Sequence, residues 1–364
     1  MPKTAPTTLT EQAPAKLNLF LGVTPQVEGG KHQLVTVFTT INLADRLTFA
    51  FKASPTSGGA RPRGAAAPGF AHDEALAAKA GAVTIETRFA LGVEAFELPL
   101  EHNIIYKTVR AFEQETGKTL EGGLHITLDK RIPAQGGLGG GSSDSAATIR
   151  ALARYWGIDP TCPPCLKVAR QMGSDVLFFL YGGCALMGGS GDVLLRQLPQ
   201  PALDIVLVKP TVGVSTVEAY REFDANPQPL PAVEPLVAAL EKAAEKGQAA
   251  IAPEPLTPPP ANADRAASGS SLPASLAPAL ANNLYPAARA LLPELEQLLS
   301  ALQRQAGIAR ALLTGSGSTV FALCADAATA QAAQAALVQQ GYWAQTCTTL
   351  SHAGSSSLNS TQLV

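Results

Sequence analysis

Hydrophobic and polar residues alternate along several stretches of the chain, which is the pattern of half-buried β-strands. The first three such stretches are residues 15–23, 32–42 and 47–51, and Gly29-Gly30 forms a turn signal between the first two. They predict an antiparallel meander near the start of the chain. The same pattern predicts later strands over residues 83–86, 94–98, 124–128, 184–187, 204–209, 309–313, 319–324 and 343–348.

Helices are predicted where apolar residues recur every three or four positions. These segments are residues 103–116, a helix that ends at Trp156, and residues 166–172, 217–223, 231–250, 284–305 and 327–340. Strands and helices in this order indicate an α+β protein. We expect a first domain over residues 12–164, a second over 165–349 with the boundary near Pro163-Pro164, and a loose tail over 350–364.

Two stretches interrupt the periodic pattern. Residues 54–81 and 252–278 are rich in Ala and Pro and have no regular apolar face. Segments of this composition cannot bury enough apolar surface to offset the entropy of ordering them. We therefore interpret both as inserts that are disordered.

Composition narrows the classes of function. The chain has 364 residues, 46% of them hydrophobic, and a formal net charge of −2, so its overall charge does not favour nucleic acid or acidic membranes. The first 14 residues lack the apolar core of a signal peptide, and no apolar run approaches the ~18 residues of a membrane span. These features lead us to expect a cytoplasmic protein.

The cysteines fit the same compartment. Their number, five, is odd, as expected in a reducing environment. Cys162-Pro-Pro-Cys165 has the spacing of redox and metal motifs, but neither a second such pair nor a nearby His accompanies it. We interpret the two as incidental thiols.

A glycine-rich stretch offers the first candidate chemistry. Between Gly136 and Gly141 five of six residues are glycine, with the predicted strand 124–128 before them and a helix after them. Glycine lets a backbone approach a ligand closely, and N–H groups at a helix N-terminus bind phosphate. Ser142 and Ser143 add hydroxyl donors. No Lys follows as in a Walker A loop, and the spacing is not that of a dinucleotide-binding fold. The stretch predicts a phosphate-binding loop.

Three other stretches carry polar groups in suggestive positions. Lys16 and Asn18 lie two apart, on one face of a strand. Asp175 follows Gly173-Ser174 and precedes an apolar run, and residues 314–318 form a small-residue turn before a strand. Taken singly, each has a structural explanation: an edge strand with solvated polar groups, a helix cap and a plain hairpin turn.

Together these stretches resemble the motifs of the GHMP kinases. Residues 133–144, PAQGGLGGGSSD, resemble the phosphate loop of that family, and the motifs around Asp175 and Gly315 follow in family order. The resemblance implies a ribosomal-protein-S5-like N-terminal domain and a ferredoxin-like C-terminal domain with the active site between them. It also implies ATP and Mg²⁺, with the magnesium ligands left open.

The resemblance assigns roles residue by residue. Asp175 would accept the proton of the substrate hydroxyl, and Lys16 would lie near the transferred phosphoryl group, since phosphoryl transfer needs both a base and positive charge. The implied ATP-binding residues are Asn103, Pro133, Ala134, Gln135, Gly136, Gly137, Leu138, Gly139, Gly140, Gly141, Ser142 and Ser143.

Further segments resemble one branch of the family, which phosphorylates a cytidyl-diphosphate-linked methylerythritol for isoprenoid synthesis. They are residues 14–21, 30–32, 101–107, 207–216 and 282–289. The branch resemblance implies a small-molecule substrate and leaves the oligomeric state open. The implied substrate-binding residues are Asn18, His32, Thr216, Gly315 and Ser316, with His32 on the cytosine edge.

Position 31 departs from that branch. Lys31 stands where an aromatic residue usually stacks on the cytosine. A lysine cannot stack in this way, and base–aromatic stacking is worth ~1–3 kcal/mol. The substitution implies either weaker cytosine affinity or another ring in its place, such as Phe20 or Tyr220.

Two alternatives remain at this point. A homoserine- or mevalonate-type kinase of the same family would lack His32, the Lys16–Asn18 pattern and residues 214–216 as they stand here. A catalytically inactive member that senses a sugar or nucleotide would be expected to have lost Lys16 or Asp175, and both are present.

Overall fold

The computed structural model of the protein describes residues 6–52, 82–247, 249–250 and 272–350. The first predicted insert, residues 252–271 of the second, and the tail after Leu350 lie outside the described residues. The strands are β1 (Thr7–Glu28), β2 (Lys31–Phe51), β3 (Val83–Phe89), β4 (Leu124–Lys130), β5 (Cys184–Gly188), β6 (Val193–Leu198), β7 (Gln200–Pro201), β8 (Asp204–Lys209), β9 (Ala249–Ala250), β10 (Ala281–Asn282), β11 (Ile308–Leu313), β12 (Val320–Cys324) and β13 (Trp343–Thr348).

Helices lie between the strands in the chain order of the described residues. Two short 3₁₀ segments span Leu100–His102 and Ala277–Ala279. The α-helices are α1 (Ile104–Thr116), α2 (Gly140–Trp156), α3 (Pro163–Met172), α4 (Val176–Tyr181), α5 (Thr216–Ala225), α6 (Glu234–Glu245), α7 (Leu272–Leu276), α8 (Tyr285–Leu291), α9 (Glu294–Gln303) and α10 (Ala327–Gln339).

The larger sheet is built on the long hairpin β1–β2. Gly29 and Gly30 turn the chain with φ angles of +58° and +77°, which glycine adopts without strain. The strand order is β10-β1-β2-β4-β3, and β5 pairs with β2 and with β6. The β1–β10 and β3–β4 pairs are parallel, whereas the other pairs are antiparallel. Strand β2 continues through residues 43–46, where the sequence predicted a break between two strands.

Helices α1 to α4 cover one face of this sheet. Strand β4 alternates between buried and half-buried residues, so Leu124, Ile126 and Leu128 point into the core as the period of two requires. Cys165 and Val168 of α3 belong to the same core. These contacts place the helix that begins at Pro163 with the first sheet, although the predicted domain boundary lies at that point.

The second sheet is antiparallel, with strand order β11-β12-β8-β13. One face packs on helices α9 and α10, and the other faces the first sheet through residues such as Leu207 and Phe321, which join Leu17 and Leu19 in one core. Both faces of β8 and β12 are therefore buried. The predicted α+β class is confirmed.

Three predicted elements differ from the structure. Residues 94–98 do not form the predicted strand. The helix predicted over 284–305 is two helices, α8 and α9, because Pro293 between them has no N–H to donate. The helix predicted over residues 231–250 ends at Glu245 in the structure. The last two residues of the predicted segment, 249 and 250, form β9, which pairs with β7.

The second insert was predicted to be disordered through residue 278, and this is wrong for its last seven residues. They form α7 and the start of a 3₁₀ segment. Leu272 and Leu276 are buried in the core between the sheets, at 1% and 0% exposure. Two leucines four residues apart lie on one side of a helix, a signal that the Ala- and Pro-rich composition around them obscured.

Candidate active site

A cavity of about 530 Å³ lies between the β1–β2 hairpin, helix α5 and the two glycine loops. Nine of the predicted site residues line it: Lys16, Asn18, His32, Gly137, Gly139, Asp175, Thr216, Gly315 and Ser316. The lining also includes polar residues that sequence analysis did not assign: Thr36, Ser190, Arg221 and Asp224. The structure thus brings together side chains from both ends of the chain.

Lys16 is the buried cation of this cavity. Its Nζ lies 3.7 Å from Asp175 Oδ2, donates to Asn18 Oδ1 at 2.7 Å and stands 4.8 Å from the centre of the Phe38 ring. Burial lowers the pKa of Lys16, and the charge of Asp175 opposes that shift. Because desolvation makes its charge costly, Lys16 would gain stability from an anionic ligand placed beside it.

Asn18 has both ends of its side-chain amide occupied by the protein. Its Nδ2 donates to Thr36 Oγ1 at 2.9 Å, and its Oδ1 accepts from Lys16 and from Thr314 Oγ1 at 3.2 Å. Its backbone N–H donates to Thr314 Oγ1 at 3.1 Å. These bonds fix the amide so that its oxygen faces Lys16. The predicted substrate contact of Asn18 stays a prediction.

Asp175 begins the short helix α4, directly after the turn at Gly173-Ser174. Its carboxylate caps none of the described backbone N–H groups of that helix and instead faces Lys16. The side chain keeps 27% of its surface exposed, toward the cavity. A helix cap therefore does not account for this residue, and its predicted role as a base stays a prediction.

One side of the predicted phosphate loop packs tightly against the rest of the protein. Gly137 and Gly139 both have φ angles of +72°. A Cβ at Gly137 would lie 2.3 Å from the carbonyl oxygen of Thr314, and one at Gly139 would lie 2.8 Å from the Phe179 ring. Any side chain at either position would clash.

The end of the loop is open. Helix α2 begins at Gly140, so the first N–H groups of α2 have no partner within the helix and point outward. A Cβ at Gly141 would meet its nearest described neighbour, Ile104, at an ordinary 3.9 Å. Uncovered N–H groups beside open space at a helix N-terminus fit a phosphate group.

The remaining predicted ATP-binding residues have different surroundings. The Leu138 side chain is buried in the core between the sheets, and its carbonyl accepts the backbone N–H of Lys16 at 3.0 Å. Asn103 caps helix α1 by accepting from Ile105 N–H at 2.9 Å. Gly136 and Ser143 are buried, Pro133, Gly140 and Ser142 are half-buried, and Ala134 and Gln135 are exposed. Their contacts with a nucleotide stay predictions.

The loop at residues 314–318 connects the two sides of the cavity. A Cβ at Gly315 would lie 3.4 Å from the carbonyl oxygen of Gly137, so the two glycine loops are in contact. The hydroxyls of Ser316 and Thr216 lie 2.8 Å apart, and this bond ties the loop to the start of helix α5. Asn282 donates to the Gly315 carbonyl at 2.9 Å and holds the loop from the other side.

Aromatic rings form the far end of the cavity. His32 stacks on Tyr220 with ring centroids 5.0 Å apart, while Phe20, the other ring considered, is fully buried in the core. His32 Nδ1 lies 3.1 Å from the Thr24 carbonyl, and Nε2 lies 3.2 Å from Asp224 Oδ1. Burial raises the pKa of Tyr220 to about 12, with a further contribution from Asp175, so the phenol stays neutral.

Lys130, Asp45 and Asp144 form a buried triad of titratable side chains next to the phosphate loop. Lys130 Nζ donates to Asp45 at 2.5 Å and to Asp144 at 2.8 Å, and all three residues are buried. Asp45 also accepts the backbone N–H groups of Arg131 and Ile132, which lead into the loop. Asp144 lies in the first turns of α2. The triad therefore joins strand, loop and helix where the loop begins and ends.

Two carboxylates share one ammonium in this triad, so one of them is expected to hold a proton. Asp45 accepts three hydrogen bonds, one from Lys130 and two from backbone N–H groups. Burial raises the pKa of Asp144 to about 8, and the charge of Asp45 adds to this against the attraction of Lys130. The folded protein thus binds a proton that an unfolded carboxyl releases near pH 4.

Because folded Asp144 holds this proton, we expect the free energy of unfolding to depend on pH. Between about pH 4 and pH 8 the folded state holds more protons than the unfolded state, so the free energy of unfolding falls as pH rises. The limiting slope is about 1.4 kcal/mol per pH unit. Asp144→Asn keeps the shape without the titration, so its melting temperature should change less between about pH 6 and pH 8. Equal slopes in wild type and variant would contradict the assignment.

Comparisons with known proteins agree with these motifs. Two family models match: the GHMP kinases N terminal domain over residues 103–183 and the GHMP kinases C terminal over residues 270–342. The 4-diphosphocytidyl-2-C-methyl-D-erythritol kinases of Pelotomaculum thermopropionicum and Parvibaculum lavamentivorans are 34% and 32% identical to the chain. The aligned regions cover 87% and 92% of this chain, and 90% and 96% of those relatives.

A solved structure is similar over a comparable length. It is a crystal structure of 4-(cytidine 5'-diphospho)-2C-methyl-D-erythritol kinase, with 28% sequence identity and a TM-score of 0.63. The match covers 93% of this chain and 99% of that chain. Within the ranges that the structure describes, no helix is both long and apolar enough to span a membrane.

Proposed function

We propose, from the premise that this chain belongs to the GHMP kinase family, that it transfers the γ-phosphoryl group of ATP to the 2-hydroxyl of 4-diphosphocytidyl-2-C-methyl-D-erythritol. The products would be the 2-phosphate and ADP. Relatives that carry the name of this kinase align over nearly their whole length, which supports the choice of substrate.

One observation carries the proposal: a single cavity is lined by two groups of residues. Lys16, Asp175 and the phosphate loop form its first end, which we assign to phosphoryl transfer, and His32 with Tyr220 forms the second, which we assign to binding of the base. A substrate with a hydroxyl at one end and a cytosine at the other matches this division. Homoserine and mevalonate contain no nucleobase, so neither has a group that would stack on the aromatic rings at the second end.

The proposed reaction assigns one task to each group at the first end. Asp175 accepts the proton of the attacking hydroxyl, and its open carboxylate faces the cavity where that hydroxyl would lie. Lys16, held by Asn18 and Asp175, stabilises the negative charge of the transferred phosphoryl group. The N–H groups at the start of α2 hold the phosphates of ATP.

The residues present also fit a nucleotide-bound Mg²⁺. Mg²⁺ usually keeps several waters and is held largely by substrate phosphates, where it neutralises developing charge. The described residues contain no group of three acidic, His or Cys side chains that could hold a metal by themselves. Ser143 Oγ, buried beside the loop, has no hydrogen-bond partner in the described ranges, and a hydrated ion or phosphate oxygen would satisfy it.

At the second end, Tyr220 takes the place of the aromatic residue that is missing at position 31. Centroids 5.0 Å apart leave no space for a base between His32 and Tyr220. We infer that cytosine stacks on the other face of Tyr220 while His32 is near its polar edge. Lys31 and Arg221 also line the cavity and supply positive charge for the diphosphate.

The substrate is tested by phosphate transfer from ATP to 4-diphosphocytidyl-2-C-methyl-D-erythritol, homoserine and mevalonate in parallel. We expect turnover of the cytidyl substrate alone. Transfer to either of the other alcohols in preference would support a different kinase of the family. ATP binding without transfer to any of the three would favour the sensor.

The base-binding end is tested by Tyr220→Ala and His32→Ala. Loss of a stacked ring is worth ~1–3 kcal/mol, so Tyr220→Ala should raise the KM of the cytidyl substrate roughly 5- to 150-fold. The KM for ATP should not change, because Tyr220 lies at the other end of the cavity from the loop.

Lys31→Tyr is the matched test of the same end. It should leave the KM of the cytidyl substrate unchanged if Tyr220 already stacks on the cytosine, and should lower this KM if no ring does. An unchanged KM in His32→Ala would contradict the cytidyl assignment.

A further inference from the structure

Cys162 and Cys165 lie together in the first turn of helix α3. Cys162 is the N-cap residue, Pro163 and Pro164 are the first two helical residues, and Cys165 is the third. Residues three positions apart in a helical turn are neighbours, with Cβ atoms roughly 5–6 Å apart. No metal ligand need accompany a pair that acts as a dithiol.

The two thiols differ in their surroundings. Cys162 is half-buried and stands at the N-terminal end of the helix, where a small molecule can reach it. Cys165 is fully buried. Burial raises the pKa of the Cys165 thiol, with the neighbouring Cys162 contributing. Cys162 is thus placed to attack, and Cys165 to resolve the product.

The prolines restrict the backbone between them. Each fixes φ near the helical value, and a proline is well suited to the first helical turn because it has no N–H to leave unpaired. The backbone N–H of Leu166 donates to the Cys162 carbonyl at 3.0 Å, which closes the turn around the pair. The backbone of this turn is therefore fixed around the pair.

We propose that Cys162 and Cys165 form a redox site that is oxidised reversibly to an intrachain disulfide by low-molecular-weight disulfides. The Cys162 thiolate attacks one sulfur of the small disulfide, forms a mixed disulfide and releases the first small thiol. Cys165 then loses its proton and attacks the Cys162 sulfur, which releases the second small thiol. Two protein thiols are oxidised, and the small disulfide is reduced to two thiols.

The other cysteines provide internal controls. Cys184, Cys324 and Cys347 lie in strands β5, β12 and β13 and are at most 4% exposed. A small disulfide cannot reach these three thiols in the folded protein, and burial raises the pKa of each. Cys165 is equally buried, but it needs to reach only the Cys162 sulfur. Oxidation of the folded protein should therefore consume two of its five thiols.

The site is separate from the proposed kinase chemistry. It lies at the N-terminal end of α3, and Asp175 follows the other end, about 15 Å away for ten helical residues. Its chemistry can be measured without any assay of turnover. Failure of the redox proposal would leave the proposed function untouched, and the converse also holds.

The experiment treats the full-length native protein with excess glutathione disulfide, then stops exchange with acid, alkylates and measures the intact mass. We expect wild type to lose two alkylatable thiols without retaining glutathione. Cys165→Ser should instead keep one glutathione on Cys162, because no thiol resolves the mixed disulfide. Cys162→Ser should neither lose alkylatable thiols nor retain glutathione. A dithiol reductant should reverse both products.

Several outcomes would overturn the proposal. The first is a wild-type protein that keeps all five thiols under conditions that oxidise small dithiols, or that retains glutathione as Cys165→Ser does. The second is a Cys162→Ser variant that loses thiols as fast as wild type. Cys347→Ser serves as the matched control and should form the Cys162–Cys165 disulfide at the wild-type rate. A folded-state circular dichroism spectrum of each variant separates loss of reactivity from loss of structure.

Discussion

Replacing Asp175 by Asn is expected to lower kcat by roughly 10²-fold or more, the order typical of a lost general base. The amide has the shape of the carboxylate but cannot accept the proton of the substrate hydroxyl. Asp175 does not contribute a cap to helix α4 within the described structure, so that helix should not depend on its charge, although buried Lys16 loses its ionic partner. ATP affinity should survive, because the phosphate loop is a separate element.

Steady-state kinetics give kcat, and calorimetry gives the ATP affinity of the same preparation. Asp326→Asn is the matched control: Asp326 caps helix α10 by accepting from Thr329 N–H at 2.8 Å, and Asn caps helices about as well as Asp. It should have wild-type kcat. A near-normal kcat in Asp175→Asn would show that another group, or none, accepts the proton.

The second large effect is expected at Gly141. A valine there would extend into the open space where phosphate is proposed to bind, because the nearest described atom to its Cβ is 3.9 Å away. We expect the Kd for ATP to rise at least tenfold, which corresponds to about 1.4 kcal/mol. The melting temperature should stay close to that of wild type, since little in the protein is displaced.

Gly140→Val is the contrasting variant. Its Cβ would lie 3.1 Å from both Ile132 Cγ2 and Lys130 Nζ, so the side chain would press on the charged triad. It should therefore lower the melting temperature as well as the ATP affinity. If Gly141→Val binds ATP as tightly as wild type by calorimetry, the loop is not the phosphate site.

Parts of the site were predictable because they are local in the sequence. The phosphate loop combines glycines, serines and a helix start within a dozen residues, and Asp175 sits between a glycine turn and an apolar run. The structure places both beside Lys16. Most strands were found for the same reason, since alternation is a short-range signal.

Other parts depend on contacts between distant residues. Asp45 and Lys130 are 85 residues apart, and no local pattern marks two charges that will be buried together. Thr314 bonds to Asn18, although a threonine before a glycine turn is unremarkable by itself. Tyr220 could be named only as one of two rings, and the fold excluded the other by burying Phe20.

The contact between Thr314 and the N-terminal strand also bears on how the site comes into being. Asn18 and Thr314 are 296 residues apart, and β10, from the last quarter of the chain, pairs with β1. Closing such long loops is slow and costs entropy before any contact repays it. A chain emerging from the ribosome therefore carries the phosphate-loop sequence long before it can hold that loop in shape, and nucleotide binding should begin only when synthesis is almost finished.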